Sequence, residues 1–201
     1  MNSVKYLSLG LAGFVLLVSC SARYDSMNNY EELQPFTTLQ VPATEIESSY
    51  PPAGVARGRY LVSLLGCSTC HSNGALIGRP DQNLLLAGSQ IGIAYTSPLE
   101  DANPGILFPP NLTPDLATGI GDWTLDQIIN MLLAGIDEHG ARSIPIMPWP
   151  AYAKIKTEDA YDIAAYLKSL APVKHQVPAN VQPGTQTSAP FVHFGVYRRI
   201  P

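Results

Sequence analysis

The stretch LLGCSTCHSNG, residues 64–74, sets two cysteines three apart with a histidine directly after the second. Three chemistries use thiols at this spacing. At a helix end, Cys67 and Cys70 fall on adjacent turns of one face, so both sulfurs reach the two vinyl groups along one edge of a haem. The imidazole of His71 then turns under the iron, and the result is covalent attachment of one haem c per chain. A dithiol/disulfide exchange site shares the cysteine spacing, but it needs one thiol of lowered pKa, usually where a helix starts after a strand. Here the pair follows a predicted helix. Zinc needs at least one more ligand, and the chain has no second C-x-x-C and no H-x-x-x-H.

An iron held by His71 takes its sixth ligand from the far side. The candidates are Met131, Met147, His139, His175 and His193. Met131 lies beside a predicted buried helical stripe, where a lone methionine is ordinary core filler. Met147, in SIPIMPWPAY, sits between prolines that stiffen the loop and so aim a flexible thioether. His139, in GIDEHGARS, reads as a solvated turn residue, and His175 and His193 belong to the tail.

The elements that must position these groups are three helices. Residues 52–66 carry Gly58, Leu61, Val62 and Leu65 at i, i+3, i+4 and i+7, and Gly58 on that face lets another helix approach closely. A second helix starts near Asp122 or Thr124. TLDQ offers a capping box there, Leu125, Ile128, Ile129, Leu132 and Leu133 form the stripe, and Gly135 is the stop. The third runs from Thr157, the expected N-cap, to Leu170, with Ile163, Tyr166, Leu167 and Leu170 on one face and Pro172 beyond. Between the first two lies a long irregular segment, residues 72–121, of the kind a binding loop explains. A large flat apolar cofactor supplies core area that the polypeptide then need not supply.

The compartment follows from the N-terminus. After Lys5 comes an apolar run ending at Val18, too short to span a bilayer comfortably, so residues 1–19 read as an export signal. Its end, Leu17-Val18-Ser19-Cys20, resembles the lipobox of bacterial lipoproteins, which implies a lipid on Cys20; a plain signal peptide or a short signal anchor is the competing reading. Residues 20–51 lack periodicity, contain Pro35 and Pro42, and read as a tether, with the domain at 52–172 and a tail at 173–201. Removing residues 1–19 takes away Lys5 and no acid, moving the formal charge from −4 to −5, a balance that argues against nucleic acid. With 46% hydrophobic residues, 18 prolines and 16 glycines, one loop-rich domain is expected. Outside the cytoplasm unprotected thiol pairs oxidise, and thioether formation removes that hazard.

The ordered segments GRYLVSLLGCSTCH, FPPNLTPDLATGIGDW, IPIMPWPAY and DIAAYLKSL resemble a class I c-type cytochrome domain over about residues 53–172. They are most like the monohaem units found in bacterial membrane-associated dehydrogenase complexes. The resemblance implies an all-α cytochrome c fold, three to five helices with long loops wrapped around one haem, in which the first and last helices cross near Gly58 and Tyr166. It implies His71 as proximal and Met147 as distal ligand, and a proline carbonyl, Pro109 or Pro110, accepting the ring N–H of His71. It also places residues 111–115, including Asn111, near the haem, although the bare sequence NLTPD is simply a good turn. Trp123, Trp149 and Tyr152 either donate to the propionates or line the pocket. Arg57, Arg59 and Arg79 are further propionate partners, or solvated.

A His/Met iron has no open position, so the expected function is one-electron transfer, with no acid–base or nucleophilic residue. Expected partners are a membrane-associated or periplasmic dehydrogenase and a terminal oxidase or other cytochrome, reached from a lipid-anchored position in the bacterial envelope. The rivals are a haem sensor or peroxidase-like enzyme with a labile sixth ligand, a dithiol oxidoreductase and a plain structural lipoprotein. The tail, with FVHFGVYRRIP, is either a strand that docks on a partner subunit or a segment packed along its own domain.

Overall fold

The computed structural model describes residues 39, 41–44, 48–195 and 198–199. The predicted signal peptide, Cys20 and most of the predicted tether lie outside them. Besides two short 3-10 turns (Ala75–Ile77 and Gln82–Leu84), the elements among the described residues are helices α1 (Pro52–Leu64), α2 (Cys67–His71), α3 (Leu125–Ala134), α4 (Trp149–Tyr152) and α5 (Thr157–Lys168), and strands β1 (Gly92–Ala94), β2 (Ile106–Leu107) and β3 (Phe191–His193). No helix among these residues is long and apolar enough to cross a membrane.

Pro52 occupies the first turn of α1, where its missing N–H would have had no helical partner. The helix buries Val55, Gly58, Leu61 and Val62 against α5, which buries Ile163, Ala164, Tyr166 and Leu167. A Cβ at Gly58 would collide with the Asp162 carbonyl oxygen and stand 2.8 Å from Tyr166 Cβ. The two helices therefore cross at Gly58, backbone against backbone. Leu86, Ile120, Ile128 and Leu132 extend this core toward α3 and the intervening loop.

Three helix boundaries differ from the sequence reading, one of them the end of α5, which falls at Lys168 rather than Leu170. Thr157 is the first helical residue rather than the cap, because the chain is already extended at Lys156 (φ −64°, ψ 147°), and Glu158 and Asp159 in the first turn complement the dipole instead. Helix α1 ends at Leu64, since Gly66 turns left-handed (φ 70°) and α2 starts as a helix of its own. In α3 the capping box forms as the sequence predicts: Thr124 Oγ1 accepts from Gln127 N at 3.2 Å and Gln127 Oε1 accepts from Thr124 N at 2.8 Å.

The fold is mostly helical, as expected, with a small sheet the all-α expectation lacks. Its order is β2-β1-β3, with β2 antiparallel to β1 (Ile93 opposite Leu107) and β3 parallel (Ile93 opposite Val192). The C-terminal strand thus packs along its own domain. At the other end, residues assigned to the tether lie against the α1–α5 pair. Val41 and Tyr50 pack on the core, Tyr166 Oη donates to the Pro42 carbonyl at 2.7 Å, and the Ser48 and Ser169 hydroxyls bond at 2.7 Å.

Alanine at position 58 gains up to about 1 kcal/mol of helix propensity, but its methyl meets a backbone carbonyl that cannot rotate away, and overpacking of that kind costs about 3 kcal/mol. Gly58→Ala should therefore lose about 2 kcal/mol net, read as a lowered urea midpoint at unchanged slope; a midpoint at or above wild type would contradict the close crossing.

Candidate functional site

Gly66 redirects the chain at the end of α1 and Thr69 N–H bonds back to its carbonyl at 2.9 Å, so the first turn of α2 carries Cys67 against the edge of the core. Neither Cys67 nor Cys70 is in a disulfide. Burial pushes the Cys67 thiol up to about 11 and also raises Cys70. Both sulfurs are held as thiols, the reverse of what an exchange dithiol needs. Tyr152 of α4 reaches the same place: its hydroxyl donates to the Leu65 carbonyl at 3.3 Å, and burial, with the neighbouring Cys67 and Cys70, pushes it up to about 12.

His71, the last residue of α2, places Nδ1 2.8 Å from the carbonyl oxygen of Pro110. A carbonyl only accepts, so Nδ1 carries the proton and Nε2 keeps its lone pair. Burial lowers the His71 pKa, against the smaller opposing effect of the Pro110 bond, and the imidazole is neutral at pH 7. Of the two prolines implied by the resemblance, Pro110 faces the ring, while the Pro109 carbonyl accepts from Ser89 N–H at 3.0 Å. A neutral imidazole with Nδ1 fixed and Nε2 bare is the state a histidine adopts to ligate a metal.

Met147 is partly buried against the same core cluster that Cys67 borders. Its carbonyl accepts from Trp149 N–H at 2.7 Å, and Ile146 N–H bonds to the Ile144 carbonyl at 2.8 Å, so the loop is tied on both sides of the methionine. Trp149 packs over Gly135, where a Cβ would lie 2.6 Å from Nε1, and its indole donates to the Ser143 carbonyl at 3.2 Å. Met131 instead has Sδ 3.9 Å from the Ser143 hydroxyl. The His139 side chain is 82% exposed beside Glu138. His175 and His193 lie in the tail, the former with Nδ1 2.8 Å from the Ala87 carbonyl. Arg57 pairs with Asp159 at 2.9 Å, Arg59 donates to the Val41 carbonyl at 3.4 Å, and Arg79 is exposed. An open hollow of about 420 Å³ includes Trp123, Gln127 and His139 but none of Cys67, Cys70, His71 or Met147.

Asn111 is fully buried, with Oδ1 accepting from both the N–H and hydroxyl of Thr113, at 2.9 and 2.7 Å. The backbone after Pro110 is pinned by that side chain. Trp123 is partly buried on the core, and its carbonyl accepts from Lys168 Nζ at 3.0 Å. This tie from Lys168 to the loop before α3 was not legible, because a lysine near a helix end usually reads as solvated. Ser72, 0% exposed with its hydroxyl accepting from Leu86 N–H at 3.0 Å, carried no sequence signal either.

Two thiols unpaired with one another and a neutral histidine with a fixed tautomer fit a covalently attached haem. Residues 55–171, more than half of the chain, match the cytochrome c family. The chain belongs to the cytochrome c family. Its members bind haem c and carry electrons. The chain is 34% identical over 144 residues to the fructose dehydrogenase cytochrome subunit of Gluconobacter japonicus, covering 72% of this chain and 25% of that protein. It is 34% identical over 120 residues to the gluconate 2-dehydrogenase cytochrome c subunit of Pantoea cypripedii, covering 59% and 24%. It is also 34% identical over 112 residues to the alcohol dehydrogenase (quinone) cytochrome c subunit of Gluconobacter oxydans (strain 621H), covering 56% and 20%. The chain thus spans a quarter or less of the length of these relatives.

Lys168 Nζ donates to three carbonyls, those of Ile120, Gly121 and Trp123, at 3.2, 2.6 and 3.0 Å. A methionine there keeps most of the stem but leaves three acceptors to water, and Lys168→Met should lose about 2 kcal/mol by urea unfolding. A loss below about 0.5 kcal/mol, the range of an ordinary surface change, would show that the loop before α3 does not depend on the ammonium.

Proposed function

We propose that this cytochrome c is a monohaem electron carrier in which Cys67 and Cys70 form the thioethers, His71 is the proximal ligand and Met147 the distal one. The observation that carries the reading is the His71–Pro110 hydrogen bond inside the C-x-x-C-H motif, which leaves Nε2 free in a fixed direction. When bound, haem c supplies reversible one-electron chemistry, and methionine as axial ligand raises its reduction potential. The protein's own part is to orient His71, to hold Met147 in its proline-flanked loop, and to keep water from the iron's sixth position. With no open position and no acid–base pair, the chain transfers electrons and does not transform a substrate.

Three relatives named as cytochrome subunits of dehydrogenases support a place beside such an enzyme. The chain takes electrons from a membrane-associated or periplasmic dehydrogenase and delivers them to a terminal oxidase or another cytochrome. Cys20 carries lipid after removal of residues 1–19, and more than one acyl chain gives stable attachment where one is marginal. Within residues 20–51, the Val41 carbonyl accepts from Arg59 of α1 and the Pro42 carbonyl from Tyr166 of α5. Confinement at one surface raises the effective concentration of carrier at donor and acceptor.

Expressed with haem-maturation machinery, the wild type should carry one covalent haem, and Met147→Ala should change the ligation spectrum and lower the potential. An unchanged spectrum in Met147→Ala would remove Met147 and bring back the open-site sensor or peroxidase class. Cys20→Ala should move the chain from the membrane fraction to the soluble fraction; continued membrane association without lipid label would contradict the anchor.

A further inference from the structure

We propose that residues 173–177, which lie beyond the segment matching the cytochrome c family, hold the ring of His71 in place, with His175 as the positioning residue. The inference rests on His71 ligating the iron as proposed above. His71 meets two layers of backbone. In one, Gly88 N–H donates to the His71 carbonyl at 2.8 Å; in the other, the Pro110 carbonyl takes the ring N–H. The layers are joined to each other by Leu112 N–H to the Leu86 carbonyl, at 2.8 Å, and Ser89 N–H to the Pro109 carbonyl, at 3.0 Å. Leu86 between them sits at φ 57°, a left-handed conformation that a bulky residue keeps only when its surroundings over-determine it.

The tail lies over both layers. Val173 turns its carbonyl to Asn111 Nδ2 at 2.8 Å and its N–H to the Thr113 hydroxyl at 3.0 Å, fixing the backbone just after Pro110. His175 links the two: its ring Nδ1–H donates to the Ala87 carbonyl at 2.8 Å, and its backbone N–H donates at 3.0 Å to the Thr118 hydroxyl, which also accepts from Asn111 Nδ2 at 3.2 Å. Val177 packs on Gly88, where a Cβ would stand 2.6 Å from its Cγ1. Val173, His175 and Val177, each half-buried, alternate with exposed Lys174 and Gln176, so the segment is an extended strap with one half-buried edge. Loss of the His175 ring bond leaves the 87–89 layer held to the 109–112 layer by the Leu112–Leu86 and Ser89–Pro109 backbone bonds without the strap, which loosens the aim of the Pro110 carbonyl at His71. A weaker bond at Nδ1 leaves the imidazole a poorer donor through Nε2, which favours the reduced iron and raises the potential.

The test uses the full haem-loaded chain with His175→Phe and His175→Asn, the latter returning a side-chain N–H near the Nδ1 position. The readouts are solvent exchange of the His71 Nδ1 proton in the reduced protein by NMR, and the reduction potential. His175→Phe should exchange about tenfold faster, equivalent to a hydrogen bond weakened by about 1.4 kcal/mol, with a raised potential, and His175→Asn should recover most of both. Wild-type exchange and potential in His175→Phe, whatever its unfolding midpoint, would overturn the proposal, as would a His175→Asn chain no better than His175→Phe. If His175→Phe does not accumulate folded, Val177→Ala takes its place: faster exchange supports the strap and an unchanged rate overturns it. Wild-type spectra read first, without any variant, decide ligation separately; a haem lacking a histidine ligand would remove that reading and this inference with it.

Discussion

The hydrogen bond from His71 Nδ1 to the Pro110 carbonyl, 2.8 Å long, is the constraint on which the rest depends. It selects one tautomer, sets the ring plane and leaves Nε2 as a lone pair of fixed direction. The acceptor is the Pro110 carbonyl, in a loop tied down by Asn111 immediately after. The bond joins residues 39 positions apart, so it exists only when α2 and the 109–112 segment are independently held.

Helices hold one side of that pair. The α1–α5 crossing at Gly58 fixes the end of α1, Gly66 turns the chain, and α2 starts with Cys67 on the core edge. Loops hold the other side, through side-chain bonds rather than periodic backbone ladders. Asn111 and Thr113 do this work for the 109–113 turn, and Lys168 gathers three carbonyls before α3. A fold with so much irregular backbone keeps its buried polar atoms paired: among the described residues no buried side-chain nitrogen or oxygen lacks a partner.

What the sequence makes legible is what local physics decides. The capping box of Thr124 and Gln127, the stop at Gly135 and the small residue at the helix crossing are each written in a few adjacent letters. The proline carbonyl came from the family resemblance, which left two candidates, and only tertiary geometry separates Pro110 from Pro109. Of the sheet, β3 had a trace in the strand reading of FVHFGVYRRIP, whereas β1 is three residues long and buried throughout, so it shows no alternation. The tail is an intermediate case. Its alternation over residues 173–177 was present in the letters VKHQV, but the partner surface, Ala87 and Gly88, comes from an irregular loop that no periodicity predicts.

The most direct measurement is a crystal structure of the haem-loaded chain. The account predicts thioethers at Cys67 and Cys70, Nε2 of His71 on the iron, and Nδ1 still bonded to the Pro110 carbonyl. Iron bound through Nδ1, a His71 ring turned away from Pro110, or a Cys67–Cys70 disulfide in place of the thioethers would contradict it.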